Sequence, residues 1–363
     1  MMLRRVLLLA VLILLVSLPV TVSVAKTPEV KLLTTMRDNI DQVFWLSGDQ
    51  KIGIFTGKRI SVISSAGKKL WNYEQPNRMV LTKGLVAYTE DEGLIMRFAP
   101  EDGRVLWKNK LPKDYQLIEG IDDWFLLYNI DFSIDLTEFK VYNNDLKELW
   151  SYKGSNFYPG AVLPGGNVVV GTYYTNENIS VLTINNSKKR SLIAKVVDPY
   201  FVEGGGVIKA VTNKVTKRTL IKLETAKWWA VLAENGEVIL NQYNLPIKKN
   251  VHSVVPCGEG FAFVGYNDQV ITVTEKGKVL WSVQLDKDIK YVSANADYLA
   301  ILCGESGGFG IGKQLMLFNK NGKLLHQVRL VRPFENIQIA KSAPKVLGVY
   351  GSELYLVDFG DLK

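Results

Sequence analysis

One phrase recurs along this chain: a polar turn, then a tryptophan that opens an alternating run. It appears as SAGKKLWNYEQ (65–75), EDGRVLWKNKL (101–111), NDLKELWSYKG (144–154) and EKGKVLWSVQL (275–285), with weaker copies at ENGEVILNQYN (234–244) and KNGKLLHQVRL (320–330). A period near ~40 residues marks a repeat architecture, whose units bury their apolar faces only by stacking on one another. Aligned on the turn, the copies fall at Gly67, Gly103, Leu146, near Ser187, and at Gly236, Gly277, Gly322 and Gly360, in steps of 36 to 49 residues. Eight turns imply eight units.

Each unit reads as four short antiparallel strands, a to d, bounded by Gly, Asn and Asp. In the second, RMVLTK (78–83), LVAYTED (85–91), GLIMRFAP (93–100) and RVLWKNK (104–110) follow one another. The third contains WFLLYNI (124–130), TEFKVYNN (137–144) and ELWSYK (148–153). The fourth turns from strand a to strand b at Pro164-Gly165-Gly166, and its strand d lies near RSLIAKV (190–196). The fifth reads as the longest, with a basic b–c excursion from Asn213 to Thr219. HSVVPCGEGFAFVGY (252–266) and YLAILCGESGGFGIGKQLMLF (298–318) belong to the sixth and seventh. No segment after residue 30 carries a helical period.

The chain ends with strands b and c of an eighth unit and no strand d, while VKLLTTM (30–36) is a strand with nothing before it to pair with. The expected fold is therefore all-β: an eight-bladed β-propeller of four-stranded antiparallel blades, closed by pairing of the N-terminal strand with the C-terminal blade. Closure removes the exposed sheet edges that invite aggregation.

The Gly-x-x-x-Trp phrase resembles the tryptophan-docking repeat of quinoprotein-like β-propellers, also called pyrroloquinoline-quinone-like repeats. Its tryptophan is present as Trp71, Trp107, Trp150 and Trp281, whereas Leu33, Leu240 and His326 stand in the slot elsewhere. WD-repeat propellers fit less well, since their Gly-His and Trp-Asp pairs are absent. The eight units and the N-terminal signal are also similar to the propeller scaffold of the bacterial outer-membrane protein assembly machinery. That scaffold is a lipoprotein, and this chain has no anchoring cysteine. The tryptophans are expected to be structural, burying a large face between blades with the N–H on a carbonyl.

Arg4-Arg5, the apolar run from Val6 and the ending Ser23-Val24-Ala25 form a signal peptide over residues 1–25, with 26–363 as one propeller domain. Left uncleaved, the same stretch is long enough to anchor the chain in a membrane. Either form places the body outside the cytoplasmic membrane: periplasmic or extracellular. The formal charge of +8 falls to +6 without Arg4 and Arg5, which is mild for this length. A generally basic surface is expected rather than nucleic-acid binding. Cys257 and Cys303 fall in neighbouring blades toward opposite strand ends, so buried free thiols are expected rather than a bridge.

Motifs for chemistry are sparse. GGFGIGKQ (307–314) has the Gly-x-x-x-x-Gly-Lys of a phosphate loop, but Gln314 replaces the hydroxyl residue and a strand follows instead of a helix. It reads as a glycine-rich hairpin. Neither His252 nor His326 has a metal-ligand partner in sequence, and no zinc, calcium or nucleophile-elbow spacing occurs. The resemblance implies quinone-dependent dehydrogenases as an alternative. Those enzymes often carry adjacent cysteines over the cofactor and a calcium site; here the cysteines are far apart, and a cofactor needs a built pocket as well as a fold. Pyrroloquinoline quinone is thus not expected as a cofactor, nor is a metal.

The expected function is a non-catalytic, monomeric scaffold of the cell envelope that binds another envelope protein, with membrane contact only through the N-terminal segment. Carbohydrate binding in the central channel is a further alternative. Recognition is placed on irregular loops carried by the rigid ring. The b–c and d–a connections share one end, and Tyr174, Asn176, Lys214, Lys217 and Arg218 are the candidate binding residues there.

Overall fold

The computed structural model describes residues 27–362 except 47, 90, 112–114, 120–123, 132–135, 144, 156–157, 175–178, 187–189, 198–207, 224–227, 242–250, 305–310 and 361. The segment expected to be a signal or anchor, residues 1–25, therefore lies outside the described residues. What is described is all-β, with eight four-stranded antiparallel sheets arranged as a β-propeller. The helical element among the described residues is the 3-10 turn Pro164–Gly166, between strands a and b of blade 4.

Blade 1 runs through Gln42–Leu46, Lys51–Phe55, Arg59–Ser64 and Lys69–Glu74, and blades 2 to 4 repeat the order as far as Arg190–Val197. Blade 5 comprises Ile208–Asn213, Arg218–Leu223, Trp228–Leu232 and Val238–Asn241. Blade 6 comprises Val251–Cys257, Gly260–Gly265, Gln269–Thr274 and Val279–Gln284. Blade 7 ends in Leu324–Phe334. Blade 8 combines Asn336–Ile339, Lys345–Tyr350 and Glu353–Asp358 with the N-terminal strand Glu29–Thr35, which sets Glu29 opposite Asp358. The ends of the chain close the ring as the sequence predicts.

Burial explains the strand sequences. Middle strands lie between two neighbouring blades and are covered on both faces, so Gly260–Gly265 (GFAFVG) and Trp228–Leu232 (WWAVL) are apolar and buried throughout. Strands d form the outer wall and alternate, as in Lys69–Glu74, where Trp71 is the buried residue. The apolar side chains segregate into eight clusters, one at each blade junction. Ile60, Val62 and Trp71 meet Met96 and Phe98 between blades 1 and 2, and Ile52 and Ile54 meet Leu347 and Leu354 between blades 1 and 8. A fully buried aliphatic side chain such as Ile52 contributes about 1.5–3 kcal/mol. The core is thus a ring of equivalent interfaces.

The fifth blade corrects one expectation. Asn213 pairs with Arg218 across the hairpin of strands a and b, so Asn213–Thr219 lies at the a–b turn and not between strands b and c. Ten residues (198–207) separate blade 4 from blade 5. In the sequence alone, that extra length reads as belonging inside the blade.

Cys257 and Cys303 are free and buried in the cluster between blades 6 and 7. Burial pushes both thiols up to about 12. Neither is expected to react with a disulfide reagent at pH 8 until the protein unfolds; fast labelling of native protein would contradict this. Because the folded value lies above the unfolded one, the stabilisation is complete below the ordinary thiol range. It is lost as pH climbs toward 12, which denaturation midpoints measured from pH 8 upward will reveal.

Candidate functional site

In seven strands d the ladder shifts register at an equivalent place. Val62 faces Trp71 but Ile63 faces Lys69, leaving Leu70 as the bulge, and blades 2 to 7 shift equivalently at Leu106, Leu149, Ile193, Ile239, Leu280 and Leu325. The residue after each bulge is turned toward the next blade. This register puts Ala194 in the slot of the fourth blade, which the sequence left unassigned, and Leu240 in that of the fifth. In blade 8 the shift comes elsewhere, between Leu32 and Thr34, and the backbone of Leu33 lies against Gly67.

The docking contact runs forward, from the tryptophan of one blade to the turn of the next. Trp71 donates its indole N–H to the carbonyl of Pro100 at 3.1 Å and stacks on Phe98, with centroids 6.2 Å apart. Trp281 donates to the carbonyl of Lys320 at 2.8 Å and stacks on Phe318 at 6.0 Å. A Cβ on Gly103 or Gly322 would stand 2.5 or 2.6 Å from those rings. Trp150 reaches the carbonyl of Gly166 at 3.0 Å, and Trp107 packs with Leu146 between blades 2 and 3. Leu146 takes the turn at φ 60° where other blades have glycine.

At the same end, polar side chains join the a–b turns of neighbouring blades. Asn213, 1% exposed, donates to the carbonyls of Gly258 (3.0 Å) and Gly260 (2.7 Å) of blade 6. Asn295 of blade 7 donates in the same way to the carbonyl of Ala340 in blade 8, at 2.9 Å. The Asp49 carboxylate of blade 1 accepts from the Lys341 and Ser342 amides and the Ser342 hydroxyl, each at 2.8 Å. None of these latches was anticipated. Asp49→Asn converts one acceptor oxygen into a donor aimed at amide donors, and is expected to cost about 1–3 kcal/mol in a urea-denaturation comparison.

The five candidate binding residues divide between the two ends. Tyr174 ends strand b of blade 4 and Asn176 lies outside the described residues, so that hairpin belongs to the b–c end. Lys214, Lys217 and Arg218 sit on the a–b turn of blade 5, at the latched end. There Arg218 pairs with Glu275 of blade 6 at 3.0 Å. Beside the pair opens a groove of about 570 Å³, lined by Val238 and Ile239 of the outer strand and by Glu234, Glu237 and Lys276. Blade 5 is thus flanked by junctions whose slots hold Ala194 and Leu240, and by connections of ten (198–207) and nine (242–250) residues.

No family model matches the sequence, and no curated protein does. Solved structures do resemble the fold. The C-terminal WD40 domain of Sif2 is 12% identical, with a TM-score of 0.59 over 93% of this chain and 100% of that one. BamB from Moraxella catarrhalis is 10% identical, with a TM-score of 0.54 over 92% and 99%, and apo AztD from Citrobacter koseri is 10% identical, with 0.52 over 84% and 90%. The likeness extends to WD40 and non-WD40 propellers alike, and what it establishes is the β-propeller fold.

Proposed function

We propose that this chain is a non-catalytic, exported scaffold that binds a protein partner of the cell envelope through blade 5. The supporting observation is the break in regularity there: the docking slots on both sides of blade 5 hold Ala194 and Leu240 in place of tryptophan, as those on both sides of blade 8 hold His326 and Leu33, but at blade 5 a groove also opens beside the basic a–b turn. A ring of near-equivalent interfaces gains nothing in stability from that irregularity, whereas irregular surface on a rigid frame serves recognition. Lys214, Lys217 and Arg218 border the contact, and Tyr174 lies at the far end of blade 4.

Photo-crosslinking in native cells tests the assignment. A crosslinking residue at Lys217 is expected to capture a discrete protein adduct; adducts from Tyr174 and none from Lys217 would move the contact to the b–c end. Dye-linked alcohol oxidation appearing on addition of pyrroloquinoline quinone and Ca²⁺ would overturn the non-catalytic reading.

A further inference from the structure

We infer that the groove between blades 5 and 6 is a receptor for a tryptophan side chain on the partner polypeptide. The inference rests on the blade 5 reading above and gives it a chemistry.

The ring itself displays the complex. At the junction of blades 6 and 7, the turn after strand c is closed by Asn319 N–H to Lys323 O and Gly322 N–H to Asn319 O, with Gly322 at φ 83°. Trp281 lies against this turn and donates to the carbonyl of Lys320. The corresponding turn of blade 6 has the same two bonds, Thr274 N–H to Lys278 O and Gly277 N–H to Thr274 O, with Gly277 at φ 82°. Counted back from the glycine, Glu275 of this turn matches Lys320 of the other, so the Glu275 carbonyl is placed to accept an indole N–H. What differs is the strand facing it. Leu240 fills the slot and is drawn inward against Trp229 and Phe263, in the buried cluster between blades 5 and 6. The groove lies outside it, floored by the aliphatic Val238 and Ile239 and bounded by the Glu275 turn.

An indole in this groove meets the aliphatic Val238 and Ile239 on one side and the Glu275-Lys276 turn, with the carbonyl equivalent to the one Trp281 uses, on the other; Val273, the counterpart of Phe318, is fully buried in the cluster with Leu240. The Arg218 guanidinium, held by Glu275, stands at the edge, where an aromatic face gains a cation–π contact. Glu234 and Glu237 line the groove together with Arg218 and Lys276, so its rim carries both signs of charge.

The probe is acetyl-Gly-Lys-(5-fluoro)Trp-Lys-Gly-amide, titrated with the whole folded protein and followed by ¹⁹F resonance shift. A saturable shift is expected, abolished by Leu240→Trp, which supplies the ring from within the chain. Ile239→Glu, at the half-buried bulge, is expected to weaken binding at least about tenfold and settles the matter if Leu240→Trp does not fold. Absence of a saturable shift, or a shift unaltered in the folded variants, overturns the inference. A crosslink at Lys217 without peptide binding would retain the blade 5 contact and remove the tryptophan; peptide binding without a crosslink would do the reverse.

Discussion

Trp71→Ala is expected to lower the free energy of unfolding by about 3–5 kcal/mol, because the ring is 8% exposed and nothing adjacent can collapse into its place. The lost volume lies between two blades, so the Pro100 carbonyl loses its donor while Phe98 loses its stacking partner. Gly103→Ala approaches the same contact from the other side, adding a methyl 2.5 Å from the indole at φ 73°. It should destabilise as well, though it removes no apolar surface. Leu70→Ala is the control: one residue away but 40% exposed, it is expected to change stability by less than about 0.5 kcal/mol. Urea midpoints and slopes compare the three, and equal effects at Trp71 and Leu70 would sink the docking account.

Deleting residues 29–35 is expected to have the larger consequence, loss of the folded monomer. Strand Glu353–Asp358 would become a bare edge, and Leu33 would leave the cluster joining blades 8 and 1. Size-exclusion chromatography should find the truncated protein aggregated or expanded, and a synthetic peptide spanning residues 27–37 should recover part of the monomer. A truncated chain that stays monomeric with an unchanged midpoint would show that closure contributes little.

Much of this architecture is legible in the sequence because its signals are local. The glycine turn, the aliphatic bulge and the tryptophan sit within five residues of one another, and each repeat announces the same hairpin. Blade 5 misled because its slot holds Leu240 and the preceding one Ala194; without tryptophans, the ten-residue connection had no landmark on either side. The latches were hidden for a different reason. Asn213 bonds to a turn 45 residues on, and Asp49 to one 293 residues away, and an Asn or Asp after a strand looks like any other turn former. The groove beside Arg218 escaped notice for both reasons together.

Because Glu29–Thr35 pairs with Glu353–Asp358, the first strand of the ring to be synthesised is the last to be completed. A nascent polypeptide carries seven self-contained hairpin sheets and, throughout, one strand whose only partner does not yet exist. That strand keeps Val30 and Leu32 in water until Glu353–Asp358 arrives, and even in the finished ring they remain more than a third exposed. The interval before the two meet is when a newly made molecule is most open to pairing with the wrong neighbour, and it lengthens with every blade placed between them.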